Sequence, residues 1–354
     1  MRADLEPVRQ LLGRRGPAIA LKVALGLIVV LCATLALGGE VSRLRTDQLR
    51  FAPGWLALAV VGLVALQLMH AGLWRAQLSY LAGPIPPRRA RAIWCTSAVA
   101  RYVPTSLLMP TLRIAMCERL RVPKRLCLAS LVYETALVLA GALLVAGYFV
   151  VELPQLRGEP GRWLAVALPV LAVAAMQPRI FGPVSAAALR RLGREPLARL
   201  LPERVIVAVW LGYAASFVFA GLALFALASA LYPVDVAGLP QVTGAVGAGF
   251  AISVLAFMLP GGLGAREAGI AAALAPAMPT VVAIAVAIAL RVVQITIEII
   301  LAGLTPVLAR GEDAGQPEAK YAPGGKFRSA ARHSGDESMR CAEPRSASTN
   351  TTAP

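Results

Sequence analysis

Residues 280–308 read TVVAIAVAIALRVVQITIEIILAGLTPVL, and this stretch settles the class of protein. An α-helix rises about 1.5 Å per residue, so roughly 20 apolar residues cross the hydrocarbon core of a bilayer. Only Arg291 and Glu298 carry charge in this run. The stretch therefore predicts a transmembrane helix.

The rest of the chain has the same character. Hydrophobic residues make up 58% of the 354 positions and charged residues 15%, and the mean hydropathy is +0.68, far outside the range of soluble proteins. Five further apolar runs lie at about 18–38, 53–74, 126–151, 163–176 and 205–231. We therefore predict an all-α polytopic membrane protein with about six full transmembrane helices, which excludes a soluble enzyme with one anchor.

Two other apolar regions, 92–117 and 242–276, are interrupted by proline, glycine and charge. The first contains Pro104 and Pro110, and the second contains Pro260-Gly261-Gly262-Leu263-Gly264. Proline removes a backbone donor and glycine accepts unusual dihedral angles, so each region predicts a helix, a break and a second helix. Irregular backbone is tolerated in lipid only where protein or a water-filled cavity surrounds it, so we expect both breaks to face the interior of the bundle. Counting each as a broken or re-entrant hairpin gives 6 to 8 spans.

Basic residues in the links predict the orientation. With a cytoplasmic segment at 1–17, the inner links carry 20 lysines and arginines and the outer links 5. The transmembrane domain then covers 18–308, and a disordered cytoplasmic tail covers 309–354. Each half reads span, span, hairpin, span, with the hairpins entered from opposite sides. This is the pattern of an inverted-topology repeat, in which discontinuous helices meet at a central site.

The composition argues against several classes of function. The net charge of +16 is spread over the links, and no polar domain interleaves basic with aromatic residues, so we expect no nucleic-acid partner. The five cysteines lack CxxC spacing, and the chain has two histidines, so the sequence indicates no zinc site, no cofactor and no histidine-based catalytic group. We therefore expect the protein not to be an enzyme.

Placing an ionisable side chain inside an apolar span costs free energy, so each such residue needs a structural or functional explanation. Arg291, Gln294 and Glu298 are spaced by three and then four residues, so they share a helix face that must look into the bundle. The inverted repeat places Glu134 roughly opposite Arg291. One interpretation is a buried Glu–Arg pair that locks two helices. The other is a headgroup site in which Arg291 holds an anion and Glu134 or Glu298 serves as counter-ion or proton carrier.

Charged residues lie next to each break in the sequence. Arg266 and Glu267 follow the second break, where the free amides of a half-helix would attract phosphate or carboxylate. A glycine-rich turn with a local salt bridge is the alternative. Arg101 and Arg113 flank the first break and are candidates for headgroup contact, whereas the basic stretch 119–125 predicts anchoring at the interface.

These residues resemble a known family. Arg101-Tyr102-Val103-Pro104 with Arg113, Glu134, the block Pro-Gly-Gly-Leu-Gly-Ala-Arg-Glu-Ala at 260–268, and Arg291 are similar to the lysylphosphatidylglycerol synthase transmembrane region, a flippase-like family. The chain departs from the family pattern at Thr105-Ser106-Leu107, where a glycine usually follows the proline. The resemblance implies a multi-pass protein of a bacterial-type inner membrane that moves, or helps to move, a lipid between leaflets, and we expect no aminoacyl-transferase domain like that of the bifunctional members.

Three functions stay open at this stage. The first is a flippase or transporter for a phospholipid, a glycolipid or a polyprenyl- or hopanoid-linked lipid with an anionic headgroup. The second is a non-catalytic partner that scaffolds a lipid-modifying or glycosyl-transferring enzyme. The third is a membrane-embedded transferase. The candidate headgroup or cavity residues are Arg101, Pro104, Arg113, Glu134, Pro260, Gly261, Gly262, Gly264, Arg266, Glu267, Arg291, Gln294 and Glu298.

Overall fold

The structure is a computed structural model that describes residues 51–102, 108–152, 158–191, 193, 196, 199–255 and 264–313. The predicted segment 1–17, the predicted span 18–38 and most of the predicted tail at 309–354 lie outside these residues. The described part is helical, with no strand in it. Its α-helices, in chain order, are α1 Pro53–Ala82, α2 Pro87–Val99, α3 Leu108–Arg119, α4 Lys124–Glu152, α5 Leu164–Ala175, α6 Pro178–Arg191, α7 Glu203–Leu231, α8 Leu239–Leu255, α9 Ala265–Leu274 and α10 Thr280–Asp313.

Five helical stretches of the described residues are long and apolar enough to cross a membrane, or six if the bent pair α5–α6 counts as one. Four of them, α1, α4, α7 and α10, coincide with apolar runs of the sequence. The all-α polytopic membrane fold is thus confirmed.

The predicted full span at 163–176 is wrong as a single helix. The α5 helix has 12 residues, which rise about 18 Å, too little for a hydrocarbon core. It continues into α6 only through a bend of 65°. The run is apolar enough for a span, but α5 is too short to cross the membrane by itself.

The two interrupted regions form helices on both sides of their breaks, as predicted. In the first, α2 leads into a 3₁₀ turn at Ala100–Tyr102, and α3 follows. In the second, α8 precedes the break and α9 follows it. Residues Val236–Val254 number 19 and are apolar enough to span, so the first arm of this region is long enough to cross by itself.

Close packing of small residues holds the long helices together. In lipid the association of helices depends on such contacts rather than on the hydrophobic effect. The α1 helix packs on α7, α2 packs on α10, and α4 packs on both α7 and α8. At Gly247 of α8, an added Cβ would lie 2.7 Å from the Ala142 carbonyl oxygen of α4. The bundle interior that results is lined by α1, α2, α4, α7 and α10.

Candidate functional site

Arg113 of α3 and Glu134 of α4 form a buried ion pair. The Arg113 side chain is 1% exposed and pairs with the Glu134 carboxylate. Arg113 Nε also donates to Ser97 Oγ at 2.8 Å, and Trp94 Nε1 donates to Glu134 Oε1 at 2.8 Å. The guanidinium lies over the Trp74 ring, 5.1 Å from its centroid. Both charges are thus compensated, and the pair joins α1, α2, α3 and α4.

Arg101 lies in the 3₁₀ turn that ends α2, and its charge is held more loosely. Its Nε donates to the Ala98 carbonyl oxygen at 2.8 Å and lies 3.9 Å from Glu298 Oε2, an ion pair without a hydrogen bond. The side chain is 40% exposed. Glu298 Oε1 accepts a 2.6 Å hydrogen bond from Gln67 Nε2 of α1. The Arg101 guanidinium also lies over the Trp94 ring, 5.9 Å from its centroid.

Glu267 takes part in the cap at the N-terminus of α9. Gly264 precedes the helix with φ of +86°, a left-handed conformation that suits glycine. Its N–H donates to Glu267 Oε2 at 2.8 Å, and Glu267 Oε1 lies 3.4 Å from Arg291 Nε of α10. A protein carboxylate thus occupies the helix N-terminus where the sequence analysis expected a ligand anion. The predicted local salt bridge is replaced by a non-local one, since Glu267 pairs with Arg291 of α10 rather than with its neighbour Arg266.

Arg266 lies in the same neighbourhood, within electrostatic range of Arg291, Glu267, Tyr102 and Glu298. Its Nε is buried and has no hydrogen-bond partner among the described residues. The Arg291 guanidinium lies over the Tyr102 ring, 5.1 Å from its centroid. Tyr102 therefore lies near three arginines, which come from the 3₁₀ turn after α2, from the first turn of α9 and from α10.

The charges around Tyr102 do not balance. Apart from the closed Arg113–Glu134 pair, this cluster, which we call the arginine cluster, contains Arg101, Arg266 and Arg291 against Glu267 and Glu298. The adjoining segments 103–107 and 256–263 contain no charged residue in the sequence. A cation at membrane depth is costly unless an anion compensates it. Among the described residues, the cluster thus carries one positive charge in excess.

The predicted shared face of α10 is confirmed. Gln294 and Glu298 are 7% and 6% exposed, and the Arg291 side chain is 13% exposed, so all three look into the bundle. Four other predicted site residues lie outside the described part of the chain: Pro104, Pro260, Gly261 and Gly262.

The expected apposition of Glu134 and Arg291 is replaced by two separate pairs. Glu134 binds Arg113 from the preceding helix, and Arg291 lies beside Glu267. The sequence indicated which residues were charged inside the membrane. It could not indicate the partners, because these depend on how α3 and α9 fold back against the bundle.

Sequence reasoning missed a polar stripe on α1. Gln67, His70, Trp74 and Gln77 are spaced by three, four and three residues, which places them on one helix face. His70 Nε2 lies 2.8 Å from Ser216 Oγ, and Gln77 Nε2 donates to the Tyr213 hydroxyl at 3.0 Å. Gln67 and Trp74 contact Glu298 and Arg113, as described above. The helical spacing of these residues in an apolar span was the signal that could have found them.

A model of the family described as lysylphosphatidylglycerol synthase TM region matches residues 19–303. The chain belongs to this family. The match covers both interrupted regions and every residue of the arginine cluster. Compared with curated proteins one by one, the sequence gives no match.

Membership in the lysylphosphatidylglycerol synthase transmembrane family agrees with the helices found here. Together they make the protein a multi-pass membrane protein whose family points to a role connected with membrane lipids. The residues that carried the resemblance, Arg101, Arg113, Glu134, Arg266 and Arg291, all take part in ion pairs or ring contacts, or lie buried in the arginine cluster.

Proposed function

We propose that the protein moves a lipid with an anionic headgroup between the leaflets of the membrane. The observation that carries this proposal is the excess of one positive charge that the arginine cluster shows among the described residues. An anionic headgroup would compensate that charge, whereas a neutral one would leave it unpaired.

The three arginines have different roles in this proposal. Arg101 is the most exposed and meets the headgroup first, since its ion pair with Glu298 lacks a hydrogen bond. Arg266 offers a buried Nε without a partner among the described residues. Arg291 is held by Glu267 and adds charge from α10. The acyl chains stay in the bilayer while the headgroup passes through the bundle.

We further propose that the protein acts without a chemical step. We infer a bacterial-type inner membrane with both chain ends in the cytoplasm, and the excess of basic residues in the predicted inner links supports this orientation. An enzyme that makes or uses the lipid is the partner we expect.

The test is headgroup accessibility of fluorescent phosphatidylglycerol in proteoliposomes, with fluorescent phosphatidylcholine in parallel. We expect wild type to move phosphatidylglycerol faster. Arg266→Ala should slow this movement by about tenfold or more, since a hydrogen bond to a charged group contributes about 1.5–3 kcal/mol. Arg204→Ala changes an exposed arginine at the start of α7 and should behave as wild type.

Equal rates in wild type and Arg266→Ala, at equal folded yield, would contradict the proposed headgroup site. Absence of movement across phospholipids, glycolipids and polyprenyl phosphates would overturn the flippase proposal and favour the scaffold for a lipid-modifying enzyme. A pull-down from the native membrane would then be the next experiment.

A further inference from the structure

A groove lies on the outer surface of the bundle, between α4, α5, α7 and α8. It has a volume of about 730 Å³ and is lined almost wholly by apolar side chains, among them Leu144, Val166, Val218 and Leu239. Its volume lies in the range of ordinary small-molecule sites. The groove shares no lining residue with the arginine cluster, so it is a separate feature.

The groove lies at membrane depth and opens outwards. Three of its walls, α4, α7 and α8, belong to candidate membrane spans. Leu211, Val218 and Leu222 on its α7 wall are exposed on the surface of the bundle. Water does not fill an apolar recess of this kind, whereas the hydrocarbon chains that surround a membrane helix do. The occupant that fits is a hydrocarbon chain.

One end of the groove has the features of a membrane interface. Tyr148 and Trp163 line it there, and they are 60% and 58% exposed. Tyrosine and tryptophan are enriched at headgroup level, where one part of the ring is in lipid and the other in water. This end lies where α4 finishes and α5 and α8 begin.

Arg162 lies at the same end, next to Trp163. Its guanidinium is 5.3 Å from the centroid of the Trp163 ring, and its Nη1 donates to the Val151 carbonyl oxygen at 3.4 Å. These two contacts fix the side chain at the rim of the groove. A guanidinium has five N–H donors, so donors remain for a phosphate.

We propose that this groove and Arg162 form a binding site for one phospholipid. One hydrocarbon chain lies in the groove along α4 and α7, and the phosphate lies against Arg162 at the interface. Trp163 and Tyr148 contact the glycerol region between them. The site is independent of the proposed transport path and stands or falls separately from it.

The experiment is native mass spectrometry of the full chain, released from detergent after mild extraction and supplied with phosphatidylglycerol. Wild type should retain one phospholipid. Val218→Trp fills the groove and should reduce the retained fraction by about tenfold. Its matched control is Phe219→Trp, which changes the next residue of α7, exposed but not part of the groove lining.

Arg162→Ala tests the phosphate contact without altering the groove. We expect about fivefold weaker retention of phosphatidylglycerol, the effect of one basic residue near an anionic lipid. Retention of a neutral diacylglycerol should not change. Arg204→Ala serves as the matched control.

Photolabelling locates the bound lipid chain on the wild-type protein. It needs no groove variant, so misfolding of Val218→Trp cannot affect the result. With a phospholipid that carries a diazirine near the end of one chain, labelling of wild type should concentrate on the peptides of α4 and α7 that line the groove. Equal labelling of all exposed helix faces would show an ordinary lipid shell and overturn the proposal. Unchanged retention in Val218→Trp would do the same.

Discussion

At the scale of single residues, the intramembrane charges divide into two kinds. Glu134 uses both oxygens in contacts with Trp94 and Arg113, whereas one oxygen of Glu298 is buried and has no hydrogen-bond partner in the described part of the chain. The first arrangement stabilises the fold, because removing either partner leaves a buried charge alone. In the second arrangement Arg101 lies 3.9 Å from Glu298, an ion pair without a hydrogen bond.

Glu134→Gln should destabilise the protein severely. The change leaves the Arg113 cation buried without its counter-ion, at a cost of about 3–5 kcal/mol. The measurement is the midpoint of thermal unfolding, followed by size-exclusion chromatography in detergent. Glu118→Gln breaks an exposed pair with Lys124 and should leave that midpoint almost unchanged. Similar midpoints for the two variants would contradict the structural role of the Arg113–Glu134 pair.

A second residue-scale expectation concerns Gly264. Its φ of +86° is unfavourable for any residue with a Cβ, so Gly264→Ala should cost about 1 kcal/mol or more. Because Glu267 is anchored on the Gly264 N–H, the change should also loosen the contact with Arg291. Phosphatidylglycerol movement in proteoliposomes should fall together with thermal stability. Full activity in a destabilised protein would show that this anchoring does not matter for function.

At the scale of elements, the bundle depends on close approach between long helices. Gly247 of α8 faces the backbone of α4, where Ala142 and Ala146 are its neighbours. An added methyl group at this position has no flexible side chain to displace. The two helices must therefore move apart to accept it.

Gly247→Ala should destabilise the protein by about 1–3 kcal/mol, the usual cost of overpacking. The matched control is Gly303→Ala on α10, where a Cβ would meet nothing within 4 Å. Thermal unfolding of both variants in the same detergent gives the comparison. A larger effect at Gly303 than at Gly247 would contradict the α4–α8 packing.

At the scale of the whole molecule, the folding back of the first interrupted region brings distant parts of the chain together. Thr96 of α2 donates to the Ala302 carbonyl oxygen of α10 at 3.5 Å, although 206 residues separate them. This contact places α2 against α10, where Arg101 after the end of α2 lies near Glu298 of α10.

The corresponding prediction is a cross-link. In a background without native cysteines, Thr96→Cys with Ala302→Cys should be joined by a short bis-maleimide, seen as a mobility shift on a denaturing gel. Thr96→Cys with Leu168→Cys should not, since Leu168 is exposed on α5. Equal efficiency in both pairs would argue against the packing of α2 on α10.

The sequence predicted the long helices well because length and hydropathy suffice to define them. It also indicated both interruptions and the buried face of Arg291, Gln294 and Glu298. The prediction was wrong at 163–176, where the run is apolar but the helix that it forms is too short to cross the membrane. It could not predict that Glu134 pairs with Arg113, since that choice is made by tertiary packing. The helical spacing of Gln67, His70, Trp74 and Gln77 could have predicted their shared polar face on α1.

The shortness of α5 has a consequence for the lipid beside it. A helix that rises about 18 Å crosses only part of a hydrocarbon layer of roughly 30 Å, and its continuation into α6 turns by 65°. Where a short helix faces lipid, the bilayer thins locally or flanking polar groups reach towards the interface. If the proposed lipid movement takes place beside such a thinned region, bilayers of short-chain lipids should support it faster than bilayers of long-chain lipids.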